Sequence, residues 1–312
     1  MMKSGFIMER SYEKISSTAK LVAYLRGFTD IPYAKEIAVE SGAKKTFQEL
    51  AGESAESMVR LVPRWEARYK VTDRILAEHD VTQVLEIAAG LSPRGLAMTT
   101  NPDIVYVVTD LPHILEEEKT IAEKILAKSD NRRPNLHFQA ANALEMESLW
   151  RAATVFESDR PVGIITEGLF SYFNRGEQET LAGNIHELLG KYDGLWITTE
   201  VHTEQYWQKL SKINEKLVRE RLLAISSSTG TNIEGNVFAD QNDLEQFFGK
   251  AGFKIKEYSH SEVLEDLSSV KLLNLDREEK LRMTRFLKIF KTLVLTPNTA
   301  RAADVRRRRT MP

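Results

Sequence analysis

The chain has 312 residues, 42% of them hydrophobic and 28% charged. That balance belongs to soluble globular proteins and excludes collagen-like, disordered and disulfide-stapled classes. The 43 basic and 45 acidic side chains leave a net charge of −2, which argues against a dedicated nucleic-acid binder, and the absence of cysteine removes disulfides, thiolate zinc sites and cysteine nucleophiles.

The length suggests about two domains at roughly 150 residues each. No apolar run approaches the ~18 residues of a membrane span. The first ten residues lack the apolar core of a secretory signal. A cytoplasmic protein is expected.

The first eighty residues are predicted helical. Ser16, Ser17 and Thr18 offer caps, with Leu21, Val22, Leu25 and Phe28 at helical spacing after them. The stretch Asp30-Ile31-Pro32-Tyr33 should break that helix. A further helix carries Met58, Leu61 and Val62, and Pro63 suits the first turn of the next, with Trp65, Tyr69, Ile75 and Leu76 on one face.

From about residue 81, short apolar runs alternate with helical stretches. The runs are Val84–Ile87, Ile104–Val108, Leu136–Phe138, Val162–Ile165 and Leu195–Ile197, and the helices include Ile114–Lys128 and Glu177–Leu189. Such alternation predicts a mostly parallel α/β sheet covered on both faces. A polar helix is expected over Glu204–Ala224, then a loop over Ser226–Asn236 and a short helix over Asp243–Ala251. Phe253–Tyr258 alternates as a strand, and Phe286–Leu295 reads as the last one. The predicted organisation is a helical cap over 1–80, an α/β domain over 81–296 with a lid insertion at about 204–236, and a disordered tail over 297–312. That tail holds five Arg against one Asp, so the rest of the chain is acidic.

The chemistry concentrates at the ends of the predicted strands. The first ends in Glu86-Ile87-Ala88-Ala89-Gly90-Leu91-Ser92-Pro93-Arg94, a small-residue turn that lets the backbone approach a ligand. The second ends in Thr109-Asp110-Leu111-Pro112, and Asp110 lies 20 residues after Gly90, placed to accept hydrogen bonds from a ribose. A dinucleotide would require G-x-G-x-x-G, but those positions hold Ala88, Gly90 and Pro93. S-adenosylmethionine has no phosphate to cradle. Arg94 suits its carboxylate, and Glu167 at the end of the fourth strand suits its ammonium.

These residues resemble a class I S-adenosylmethionine-dependent methyltransferase, and within that class the leucine carboxyl methyltransferases and the polyketide O-methyltransferases of tetracenomycin type. The resemblance runs over about residues 15–296. It is carried by Ser17-Thr18-Ala19-Lys20 with Arg26 and Asp30-Ile31-Pro32-Tyr33, by the Gly90–Arg94 turn, by Thr109–Pro112, by Asn142-Ala143-Leu144 and by Glu167-Gly168-Leu169-Phe170-Ser171-Tyr172-Phe173. It implies a seven-stranded, doubly wound, Rossmann-like sheet. It implies that Glu86, Ala88, Gly90, Leu111 and Gly168 line the cofactor. Arg94 and Lys20 would meet its carboxylate, Asp110 its ribose, Asn142 and Ala143 its adenine, and Glu167 its amino group. Tyr172 would line the reaction pocket. The sequence departs from the pattern at Ala88, Ser92 and Asn142.

Each residue also has a plain structural reading. Asp110 could simply end a strand. Arg94 could pair with Glu117, Glu167 with Lys20 or Arg94, and Lys20 could be a solvated helix residue. His202, just past the fifth strand, is the candidate general base or else a surface histidine. His113, His137, His186 and His260 are too scattered for a metal site. The expected activity is methyl transfer to a carboxylate or phenolic hydroxyl of a small-molecule or peptide acceptor. The alternatives are a non-catalytic cofactor-binding protein on the same fold and an NAD-type oxidoreductase. No nucleic-acid or membrane partner is expected.

Overall fold

A computed structural model describes residues 13–51, 58–128, 132–212, 236–272 and 275–298. Most of the expected lid insertion and all of the tail past residue 298 therefore lie outside the described residues.

The described residues begin with the helices α1 (Glu13–Arg26), α2 (Ala34–Glu40), α3 (Ala43–Ala51) and α4 (Val62–Glu78), and residues 58 and 59 are helical as well. Helix α1 starts before Ser16, so Ser16–Thr18 lie inside it and do not cap it. It ends ahead of the Asp30–Tyr33 stretch, as the proline requires. Pro63 stands in the first turn of α4, where its missing N–H costs nothing.

Strands and crossover helices then alternate: β1 (Gln83–Ile87), α5 (Arg94–Met98), β2 (Val105–Asp110), α6 (Pro112–Ala127), β3 (Leu136–Ala140), α7 (Met146–Ala152), β4 (Val162–Thr166), α8 (Arg175–Tyr192) and β5 (Gly194–Thr199). After β5 a helix starts at residue 204 and is described to residue 212. Then follow α9 (Gln241–Lys250), β6 (Phe253–Ser259), α10 (Ser268–Leu272), α11 (Arg277–Leu287) and β7 (Lys291–Pro297). Phe286 closes α11, so the last strand starts later than expected. Helix and strand are separated there by only three residues, and apolar residues run through the junction.

The seven strands form one sheet in the order β3-β2-β1-β4-β5-β7-β6. β1 to β5 run parallel, and β7 is antiparallel to both β5 and β6. Alternation along each strand divides the core into two layers. Leu85, Ile87, Ile164, Trp196 and Leu295 pack against Leu181, Ile185 and Leu188 of α8. Val84, Ile165, Ile197 and Val294 pack against Val71, Ile75 and Leu76 of α4. The helical segment thus contributes a core layer to the sheet through α4. Burial of both faces explains why the central strands read as largely apolar runs, interrupted in β1 by Gln83 and Glu86.

Candidate active site

Parallel strands bind ligands beyond their carboxyl ends, where the strand order reverses. Here the reversal falls between β1 and β4. The turn after β1 and Glu167 after β4 flank it.

Asp110 ends β2 and is 6% exposed. One carboxylate oxygen accepts the Gly90 N–H at 2.8 Å and the other accepts the Leu111 N–H at 2.7 Å. Burial raises its pKa to about 6, although the two N–H groups and His113 act in the opposite sense. The turn itself is backbone-strained. Ala88 (φ 55°) and Gly90 (φ 61°) both take left-handed conformations. For alanine that costs roughly 1–2 kcal/mol. A β-carbon on Gly90 would lie 3.2 Å from the Ala19 side chain, so α1 sits directly over the turn.

Glu86 shares a strand face with Val84, which turns it toward α4 and α5. It is 1% exposed. It accepts Arg94 Nη1 at 2.8 Å and the Tyr106 hydroxyl at 2.6 Å. Arg94 is fully buried and also donates to Asp73 at 2.7 Å and to Glu167 at 3.0 Å. Burial alone would lower the pKa of Arg94, but Asp73 and Glu86 more than reverse this and hold its charge. The guanidinium also stacks on the Tyr69 ring, 4.2 Å from its centre.

Glu167 gathers three arginines. Besides Arg94 it meets Arg68 Nε at 2.9 Å and accepts a hydrogen bond from Arg26 of α1. One residue past β5, Glu200 mirrors it, with Arg64 Nη2 and Arg68 Nη1 each at 3.0 Å. Glu200 is also left-handed, with φ 61°. Burial would raise its pKa, but Arg68 and Arg64 lower it further than burial lifts it. Crowding tells on the arginines. Burial, with Arg68 and Arg94 adding to it, lowers Arg26 to about 9. Burial likewise lowers Arg68 to about 10 against the pull of Glu200. Gly168 takes a left-handed φ of 76°, which favours glycine, and its backbone lies close to the Arg68 and Glu200 side chains.

Tyr172 lies on a short turn after β4, and its hydroxyl bonds Thr18 of α1. Burial raises its pKa to about 12, and Glu200 adds to the effect. His202 is half-buried and stacks on Tyr206, with ring centres 4.0 Å apart. Burial lowers its pKa to about 4 against the pull of Glu200, so the ring is neutral at pH 7. Asn142 and Ala143 follow β3, at the sheet edge next to Asp110. Asn142 orders its own loop through the Leu144 N–H and Glu145, each at 3.0 Å.

The structure therefore brings Glu86, Ala88, Gly90, Arg94, Asp110, Leu111, Glu167, Gly168, Tyr172 and His202 to one edge of the sheet. Lys20 is directed elsewhere, to Glu117 of α6 at 2.7 Å. The sequence reading missed Tyr69, Arg26, Arg64, Arg68 and Glu200 as members of the site. One signal was available: β4 and β5 both run out into Thr-Glu, Thr166-Glu167 and Thr199-Glu200. Among the described residues no group of His, Asp and Glu could hold a metal ion. Among them, too, no helix is long and apolar enough to cross a membrane.

No family model matches the sequence, and no curated protein does. Solved structures do match. A DUF574 family protein from Streptomyces avermitilis MA-4680 superposes with a TM-score of 0.55 over 90% of this chain and 96% of its own, at 14% identity. A protein from Thermobifida fusca YX described as a methyltransferase gives 0.51 over 89% of this chain and 93% of its own, at 16% identity. With its strand order and antiparallel β7, the chain has the class I methyltransferase fold.

Proposed function

We propose that the chain is an S-adenosylmethionine-dependent O-methyltransferase, acting on a carboxylate or phenolic hydroxyl of a small-molecule or peptide acceptor, as leucine carboxyl and polyketide O-methyltransferases do. The observation that carries it is Asp110, a buried carboxylate fixed by two backbone N–H groups beside a glycine turn at the switch point. That is the position and chemistry a ribose needs. The dinucleotide alternative finds no support. Position 93 is proline, which has no N–H to offer a phosphate, and the helix after it has only 5 residues.

The residues present fit the cofactor. Its zwitterionic end needs one anion and one cation, and Glu167 with its arginines supplies both. Arg94 already donates to Asp73, Glu86 and Glu167, so its part in this reading is to hold Glu86 and Glu167 in place. Arg26 and Arg68 share Glu167 and are the guanidiniums left for the cofactor carboxylate. Asp110 takes the ribose, and Asn142 and Ala143 border the adenine. When bound, the cofactor supplies an electrophilic methyl on a sulfonium. The protein's part is alignment, worth up to ~7–11 kcal/mol. Tyr172 and His202 stand on the acceptor side. Neutral His202 takes the proton of a hydroxyl acceptor, with Glu200 stabilising the imidazolium that forms, whereas a carboxylate acceptor needs no base. Helix α1, which lies over the Gly90 turn, covers the cofactor side of the site.

Calorimetry with S-adenosylhomocysteine tests this. Wild type is expected to bind, and Asp110→Ala to bind at least tenfold more weakly with its fold intact by circular dichroism. Equal binding by the two removes the ribose assignment. Tight NADH binding without adenosylhomocysteine binding overturns the reading. Cofactor binding without turnover on any acceptor favours the non-catalytic alternative.

A further inference from the structure

Several buried polar atoms have no hydrogen-bond partner among the described residues, and four of them belong to one neighbourhood. They are Arg64 Nη1, the Tyr206 hydroxyl, Trp207 Nε1 and Thr199 Oγ1. Arg64 is 2% exposed and Tyr206 9%. An orphaned buried donor is costly, more so when charged, so a group of them is conspicuous. These atoms surround the end of β5 and the turn into the helix at residue 204.

The walls there are aromatic. The Arg64 guanidinium lies 4.3 Å from the Phe290 ring centre and 4.6 Å from that of Trp65. Tyr206 packs edge-on against Phe290 at 5.9 Å and against Trp207 at 5.1 Å. His202 completes the wall, edge-on to Trp207 at 5.2 Å. The charges are also divided unevenly. Arg94 keeps Asp73 and Glu86 to itself on the β1 side. Arg26, Arg64 and Arg68 pair with Glu167 and Glu200 on the β4 and β5 side, where Arg94 reaches Glu167 as well. Among the described residues three guanidiniums thus face two carboxylates on that side, next to the residues proposed to face the acceptor, while Asp73 and Glu86 outnumber Arg94 on the other.

We propose that this neighbourhood is the acceptor subsite and that it selects an aromatic carboxylic acid, with Arg64 Nη1 binding the acid group and the ring packing among Phe290, Tyr206 and Trp207. This rests on the methyltransferase reading only for the identity of the ligand as acceptor. The anion site itself stands on the unpartnered donors, the aromatic walls and the charge asymmetry. Guanidinium and carboxylate are matched in geometry, and a charge-assisted pair in a water-poor site discriminates strongly against a neutral isostere. The Tyr206 and Trp207 donors then serve the second carboxylate oxygen or a ring substituent. Glu200 holds Arg64 by its other nitrogen and fixes the orientation.

Calorimetry on the full chain with a panel of benzoates, cinnamates and naphthoates, each against its carboxamide, tests this with and without saturating S-adenosylhomocysteine. At least one acid is expected to bind tenfold or more tightly than its amide. Arg64→Gln should bring the acid down to the level of the amide and leave the amide unchanged, with Arg64→Lys in between. Tyr206→Phe, which keeps the aromatic wall, should weaken the acid three- to tenfold and serves if Arg64→Gln does not fold. Failure of every acid to bind, or equal binding of acid and amide, overturns the proposal. So does acid binding unchanged in folded Arg64→Gln. If adenosylhomocysteine fails to bind while the acid preference holds, the cofactor reading fails and the anion site stands.

Discussion

Asp110 shows how a single residue can be both a liability and an instrument. Burial raises its pKa from 3.8 to about 6. A raised carboxyl favours the folded state in its protonated form. The contribution is therefore fully present below the unfolded value and is lost as pH rises through about 6, roughly 3 kcal/mol in all. The cofactor-free protein bears this cost at neutral pH, while a ribose requires the ionised form. Adenosylhomocysteine binding should thus be about tenfold weaker at pH 5 than at pH 7.5, a loss that isothermal titration at both values would read, and Asp110→Asn should abolish the pH dependence. This residue was legible in the sequence because the end of the second strand and its distance from Gly90 are set by the fold. The arginines were not. Arg64 and Arg68 sit four apart on a helix, a spacing that usually marks a solvated face, and only the packing of α4 across the carboxyl edge turns them inward.

Among elements, α4 ties the helical segment to the rest. Glu66 is fully buried and accepts the Ser268 N–H at 2.7 Å, the Ser268 hydroxyl at 2.8 Å and the Ser269 N–H at 2.9 Å, as well as the Ser269 hydroxyl. Lys70 lies 2.8 Å from the same carboxylate and reaches Asp30 at 2.6 Å. One carboxylate therefore caps α10 and anchors the turn after α1. Glu66→Ala should lower stability by about 3–5 kcal/mol, because it strands several buried donors and a lysine, and urea denaturation would measure it. Strand and helix positions were mostly readable, since the central strands are short, largely apolar runs between amphipathic helices. The exception is the junction of α11 and β7. Phe286, Leu287, Ile289 and Phe290 run into Leu293 and Val294 there, and an apolar run that changes from helix to strand within a few residues has no single period.

For the whole molecule, α1 lies across the edge to which every proposed ligand contact belongs. Its Ala19 rests on the Gly90 turn, its Thr18 meets Tyr172 and its Arg26 pairs with Glu167. A cofactor inserted there exchanges contacts within the chain for contacts with itself. At a hundredfold excess over its dissociation constant, adenosylhomocysteine should stabilise the protein by about 2.7 kcal/mol, raising the melting temperature by several degrees in a thermal scan. The fold was expected as a seven-stranded, doubly wound sheet. What the sequence could not reveal was the balance of charge along its edge, because that depends on which of many ordinary-looking arginines the tertiary packing buries.

β7 is the last of the described strands, yet it lies inside the sheet, between β5 and β6. As the polypeptide emerges from the ribosome, β1 to β5 can pair as soon as residue 199 is made, but one side of β5 stays open for nearly a hundred residues more. β6 has no neighbour to join until residues 291–297 arrive. The nascent chain thus spends that interval with an exposed apolar edge, the state most prone to pair with another chain. The sheet is completed only when β7 docks and closes the open side of β5.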